Sequence, residues 1–154
     1  MATLRKVLDT FLVWAVCILT TVLLVVMSAQ VIWRYVFNDP IYWSEELARY
    51  LFVWLTFLAA SMAFRDHKHM AVDLIQPFLG PVARRWQHAI ITGILAVFFI
   101  IVLVVAPEIL SITLDQPSAS LSIPIALLYL SFPFSIFIML LYLVMDLVQA
   151  RKAR

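Results

Sequence analysis

The sequence predicts an all-α integral membrane protein with four transmembrane helices, and three observations carry that prediction. First, 65% of its 154 residues are hydrophobic and 13% charged, with a mean hydropathy of +1.03. Soluble domains are nearer half apolar and a quarter charged, and a core this small cannot hide the excess. Second, the charged residues are gathered into short clusters separated by four long uncharged stretches. A helix needs about 20 mostly apolar residues to cross ~30 Å of hydrocarbon. Third, with four spans the basic residues fall overwhelmingly on one side.

The whole chain, residues 1–154, reads as a single membrane domain. The first span covers about residues 10–33, interrupted as polar groups only by Thr20, Thr21, Ser28 and Gln30. Arg5 and Lys6 ahead of it resemble the start of a secretory signal, but the apolar run is too long for one and is expected to remain as a span. The second span is less obvious. Its uncharged part, Tyr50 to Phe64, gives only about 22 Å of helix, so the charged turn before it must belong to the same element. Ser44 is a suitable N-cap, Glu45 and Glu46 would sit in the first turn where the helix dipole favours acids, and Glu45 with Arg49 has i,i+4 spacing. The span is therefore placed at 45–64.

The third span is placed at 87–108, with Pro81 after Gly80 marking a break and a fresh helix start. The fourth is placed at 122–148, with Pro124 suited to a first turn and Pro133 expected to kink the interior. Between the second and third spans, residues 70–80 carry Met70, Val72, Leu74, Ile75, Phe78 and Leu79 against Asp73 and Gln76. This pattern predicts a short amphipathic helix lying in the headgroup region.

Four spans put both chain ends and the 65–88 connection on one side. That side holds nine of the eleven Lys and Arg residues, leaving Arg34 and Arg49 for the other. The positive-inside rule makes both termini cytoplasmic. The outer side carries five acids, Asp39, Glu45, Glu46, Glu108 and Asp115, against those two cations. Trp33 and Trp43 fall at the outer boundary and Trp86 at the inner one, as interfacial anchors do. Trp54 lies deeper, a position that also suits packing against another helix.

The chemistry this chain can carry is restricted. An ion pathway usually shows as ionisable residues within the spans, and the middles of these four have none. Cys17 is the single cysteine, which removes disulfide chemistry and thiolate zinc sites. No paired histidines within spans offer haem ligation, and His67-x-His69 lacks a third metal ligand. No nucleophile with an adjacent base and no phosphate-binding loop occurs. Enzymatic activity, cofactors, metals and nucleic-acid partners are not expected. What remains is surface for helix partners. Thr56, Ala59, Ala60 and Ala63 form a small-residue stripe on the second span, and Ala89, Gly93 and Ala96 form another on the third. The two stripes either pack on each other or leave contacts to outside helices. In the former case the bulky faces, with Phe132, Phe134 and Phe137, are the ones open to a partner.

The stretch Trp43-Ser44-Glu45-Glu46-Leu47-Ala48-Arg49-Tyr50-Leu51-Phe52-Val53-Trp54 resembles the W-x-E-E-x-A-R-x-x-F-x-W signature of the small, Q-type (DctQ-like) membrane subunit of tripartite ATP-independent periplasmic (TRAP) transporters. Arg34-Tyr35-Val36-Phe37-Asn38 before it, and Ala63, Arg65, His69, Val72 and Asp73 after it, are similar to the same pattern. The chain departs from it at Ala59 and near His67, where many relatives carry glycine. The resemblance implies a bacterial inner-membrane importer of organic acids with three parts. A periplasmic substrate-binding protein captures the solute, a large membrane subunit carries the sodium and substrate sites, and the small subunit is a stationary scaffold. It also points to Trp43, Glu45, Glu46, Arg49 and Trp54 as either a contact to the large subunit or an intrachain cluster. Arg65, His69 and Asp73 would be a counterpart at the inner end, with Arg65 available to a phospholipid phosphate. The competing reading is a self-sufficient homo-oligomeric pore or small exporter, with Thr20, Thr21, Ser28 and Gln30 lining a path between copies.

Overall fold

In the computed structural model, residues 2–66 and 80–152 are described, and they form four long helices. These are α1 (Ala2–Ile32), α2 (Tyr42–Arg65), α3 (Pro81–Leu114) and α4 (Ala126–Lys152). All four are long and apolar enough to cross a membrane, α2 being the least apolar. Helices bond most of their backbone polar groups internally, which a lipid environment requires, although Pro107 in α3 and Pro133 in α4 each remove one donor. The expected interfacial segment at 70–80 lies outside the described residues except for Gly80.

The helix limits differ from the sequence expectation for local reasons. α1 continues into a π-helical turn, Trp33–Phe37, closed by Asn38 in the left-handed region at φ 53° with its N–H on the Trp33 carbonyl. Asn tolerates that conformation better than most residues because its short polar side chain can bond locally. α2 begins at Tyr42 with Ile41 as the cap residue, so Ser44 is not the N-cap. Ser44 is instead inside the first turn and buried, its Oγ donating to the Ile41 carbonyl at 2.6 Å. Pro81 does open α3 behind Gly80, where its missing N–H costs nothing. α4 starts at Ala126 rather than 122 because the preceding residues form a small hairpin. In it Pro117 bridges Pro124, Ser118 N–H bonds to the Ile123 carbonyl at 2.8 Å, and Ile125 N–H to that of Gln116 at 3.0 Å.

The helices pack in the order α1, α2, α4, α3. One cluster joins α1, α2 and α4 through Leu12, Leu58, Ile138, Tyr142 and Met145, and a second joins α4 to α3 through Phe99, Ile136 and Leu143. Phe64 links α2 to α3 through an edge contact with Phe99 at 5.6 Å between ring centres. Ser61, Ser131 and Ser135 are fully buried. Ser61 Oγ on α2 lies 3.3 Å from the Ser135 carbonyl on α4 and 3.2 Å from that of Phe57. Serine is small enough to let two helix backbones approach closely and polar enough to bond across the gap.

Candidate partner interface at the ends of the second helix

At one end of the bundle the residues of the signature turn to different partners. Glu45 Oε1 accepts from Gln30 Nε2 at 3.3 Å, tying α2 to α1. Glu46 Oε2 accepts the backbone N–H groups of Ser120 and Leu121 at 2.7 and 3.1 Å, tying α2 to the hairpin between α3 and α4. Arg49 is exposed and makes no ion pair among the described residues. The i,i+4 pairing of Glu45 with Arg49 is therefore not formed. Each carboxylate accepts instead from a donor on a neighbouring element, and a surface i,i+4 pair contributes only about 0.3–0.5 kcal/mol in competition.

Trp54 packs between helices. Its Nε1–H donates to the Leu127 carbonyl on α4 at 3.0 Å and its ring meets Phe134 at 5.7 Å. Phe132 likewise meets Phe57 on α2 at 5.1 Å, so Phe132 and Phe134 serve contacts within the chain, whereas Phe137 stays exposed. Trp43 is exposed, as are Trp33, Tyr35, Phe37 and Tyr42. Together these make an aromatic rim around the α1–α2 tip, the placement an interfacial belt needs. Trp86 is exposed near the start of α3.

The other end carries a polar node that joins three helices. Arg5 Nη1 on α1 pairs with Asp146 Oδ1 on α4 at 3.1 Å. Tyr142 Oη on α4 donates to Asp9 Oδ1 on α1 at 2.6 Å, and Arg65 Nη1 on α2 lies 3.7 Å from the same Asp9 oxygen. Arg65 Nε also donates to Asp66 at 2.9 Å. Of the expected inner-end group, Arg65 is thus engaged with Asp9 and Asp66, while His69 and Asp73 lie outside the described residues. Arg5, Asp9, Tyr142 and Asp146 were not singled out by sequence reasoning. A signal existed: Arg5 and Asp9 are four apart, as are Tyr142 and Asp146, so each pair shares one helix face at the same end of the bundle. The node also places the N-terminus of α1 and the C-termini of α2 and α4 together, as an even number of crossings requires.

The small-residue stripes do not pack on each other. Thr56, Ala59, Ala60 and Ala63 are all exposed on α2. On α3, a side chain added at Gly93 would meet nothing within 4 Å, and Ala96 is half-buried. Ala89 lies on the first turns of the same helix. The packing order explains this, because α4 stands between α2 and α3. Among the described residues no group of three His, Cys, Asp or Glu side chains is placed to hold a metal ion.

Four long apolar helices whose charged side chains gather towards their ends define a polytopic membrane protein. The chain belongs to the DctQ component family of tripartite ATP-independent periplasmic transporters, whose family model matches residues 23–153. It is accordingly a multi-pass protein of the inner membrane. It is similar to the sialic acid TRAP transporter small permease protein SiaQ of Vibrio cholerae, 32% identical over 81 residues that are 53% of this chain and 47% of the relative. It is also similar to the C4-dicarboxylate TRAP transporter small permease protein DctQ of Vibrio cholerae, 32% identical over 77 residues, 50% of this chain and 33% of the relative. The isethionate TRAP transporter permease protein DctMQ of Oleidesulfovibrio alaskensis is 31% identical over 110 residues, 68% of this chain but 17% of that one. In each case the aligned stretch spans less than half of the relative.

Proposed function

We propose that this chain is the small, non-catalytic subunit of a sodium-coupled TRAP transporter for organic acids, holding a large transport subunit stationary in the inner membrane while a periplasmic protein delivers the solute. The observation that carries this reading is the missing interior site. The middles of the four spans contain no Asp, Glu, Lys, Arg or His, and an ion crossing here would find no counter-charge. Three of the hydroxyls that the spans carry are used locally. Those of Thr20, Thr21 and Thr56 donate to carbonyls of their own helices at 2.8 Å. Gln30 is held by Glu45. Thr20, Thr21 and Gln30 are three of the four groups, with Ser28, that a self-sufficient pore would have needed to line its path. The relative DctMQ supports a large partner: the segment similar to this chain is a small part of one much longer permease polypeptide.

On this reading both termini are cytoplasmic. The polar node at Asp9 and Arg65 then lies at the inner leaflet, with Arg65 near phospholipid phosphates. The Glu46 hairpin lies at the periplasmic surface, within reach of a solute-binding protein. Which organic acid is carried would be decided by the other two components.

Co-expression with a large TRAP subunit tests the proposal. The two chains are expected to purify together in mild detergent and uptake in cells to require both. Uptake by the large subunit at full rate without this chain would refute it.

A further inference from the structure

The free side of α2 differs in kind from the free sides of its neighbours. α2 packs on α1 and α4, and its remaining face carries Arg49, Phe52, Thr56, Ala59, Ala60 and Ala63, every one of them exposed. At mid-span the exposed residues of α3 are bulky and apolar, Val97, Phe98, Ile101 and Val104, and those of α1 are mostly so, with Ile18, Val22, Leu24 and Val25 beside a single threonine, Thr21. Branched and aromatic side chains of that kind suit acyl chains. A face of threonine and alanine headed by an arginine does not.

Arg49 is seven residues into α2, about 10 Å along the axis from its first residue. Its guanidinium has no hydrogen bond or ion pair among the described residues, because the two nearby carboxylates are committed to Gln30 and to the 115–125 hairpin. With the span at 45–64, as the sequence predicts, Arg49 lies one turn inside the apolar layer, where an unpaired cation is costly, so the face calls for an anion from outside the chain. A second copy is a poor source. Two copies inserted with the same topology and related by a two-fold axis along the membrane normal would bring Arg49 against Arg49 at equal depth.

We propose that the free face of α2 is the surface on which a transmembrane helix of the large subunit packs, and that a carboxylate on that helix pairs with Arg49. This rests on the small-subunit reading above. Arg favours such a site because its planar fork can engage both oxygens of a carboxylate, while the alanines below it let the partner backbone approach closely.

The test uses the full chain with Cys17→Ser, which removes its only cysteine, co-expressed with the large subunit. Single cysteines are introduced as Thr56→Cys and Ala63→Cys on α2 and as Val97→Cys and Val104→Cys on α3. The two α2 variants are expected to cross-link to the large subunit and the two α3 variants to remain open to a membrane-soluble maleimide. Arg49→Glu is expected to lower the amount of large subunit recovered by at least about ten-fold, Arg49→Lys much less, since reversing one charge turns attraction into repulsion while lysine keeps the sign. A carboxylate→Arg change in the large subunit should restore the Arg49→Glu complex. The proposal is overturned if cross-links form from α3 and not from α2, if they join two copies of this chain, or if Thr56→Cys reacts with the maleimide in the intact complex. Failure of the unsubstituted chain to recover any large subunit would overturn the small-subunit reading itself, separately from the choice of face.

Discussion

Tyr142 is the residue on which the Asp9 end of the bundle turns. It is fully buried, yet its hydroxyl reaches Asp9 at 2.6 Å, and Asp9 in turn is approached by Arg65. One carboxylate thus gathers side chains from α2 and α4 onto α1. A hydrogen bond to a charged group is worth roughly 1.5–3 kcal/mol, more than an ion pair at the surface usually contributes. Tyr142→Phe keeps the ring and its packing against Leu12 and Leu58 but removes the donor. It is expected to destabilise the purified chain in detergent by about 2 kcal/mol, measured as a lowered denaturation midpoint, with Asp9→Asn giving a loss in the same direction. Unchanged midpoints in both variants would reduce the node to a surface coincidence. At the opposite end Glu46 has the comparable task. Glu46→Ala leaves the Ser120 and Leu121 N–H groups without their acceptor. Amide exchange in the 115–125 hairpin is expected to speed up while the middles of the helices are unaffected.

The helices themselves were legible from the sequence, because a bilayer imposes a length and a polarity that few other folds require. Their limits and polar contacts were less so, and Ser44 shows why. Cap chemistry is local, but Tyr42 and Trp43 extend the helix one turn earlier than the nearest capping residue suggests. The same holds for Glu45 and Arg49, whose spacing permits a pair. The donors that win are Gln30, in the preceding helix, and the amides of Ser120 and Leu121, far along the chain. No window of sequence contains both sides of that choice. The serine seam between α2 and α4 was equally hidden, since buried serine and lipid-facing serine look alike in hydropathy. Ser61 and Ser135 are fully buried, so a larger residue there must push the helices apart. Ser61→Leu is expected to cost about 1–3 kcal/mol by overpacking and to lower thermal stability, whereas Ala59→Leu on the free face leaves the isolated chain unchanged. Equal losses in both would show that the seam is not the close contact described here.

At the scale of the whole molecule, the order α1, α2, α4, α3 matters more than any single bond. It places α4 between α2 and α3 and keeps the two small-residue stripes apart, which the sequence left open as alternatives. It leaves one broad bulky surface for lipid and one arginine-headed face for another helix. The ends are fastened by Asp9, Arg65 and Tyr142 below and by Glu46 above, and the interior between them holds no charge. On the function proposed above, such an object braces its partner and gives a passing ion no counter-charge. The most direct measurement is flux: the chain alone is reconstituted into liposomes, an inward sodium gradient is imposed, and entry of labelled sodium and of labelled organic acids is followed. The account predicts rates no higher than those of protein-free liposomes, rising only when a large TRAP subunit and its solute-binding protein are added. Saturable, sodium-dependent entry through this chain by itself would contradict it.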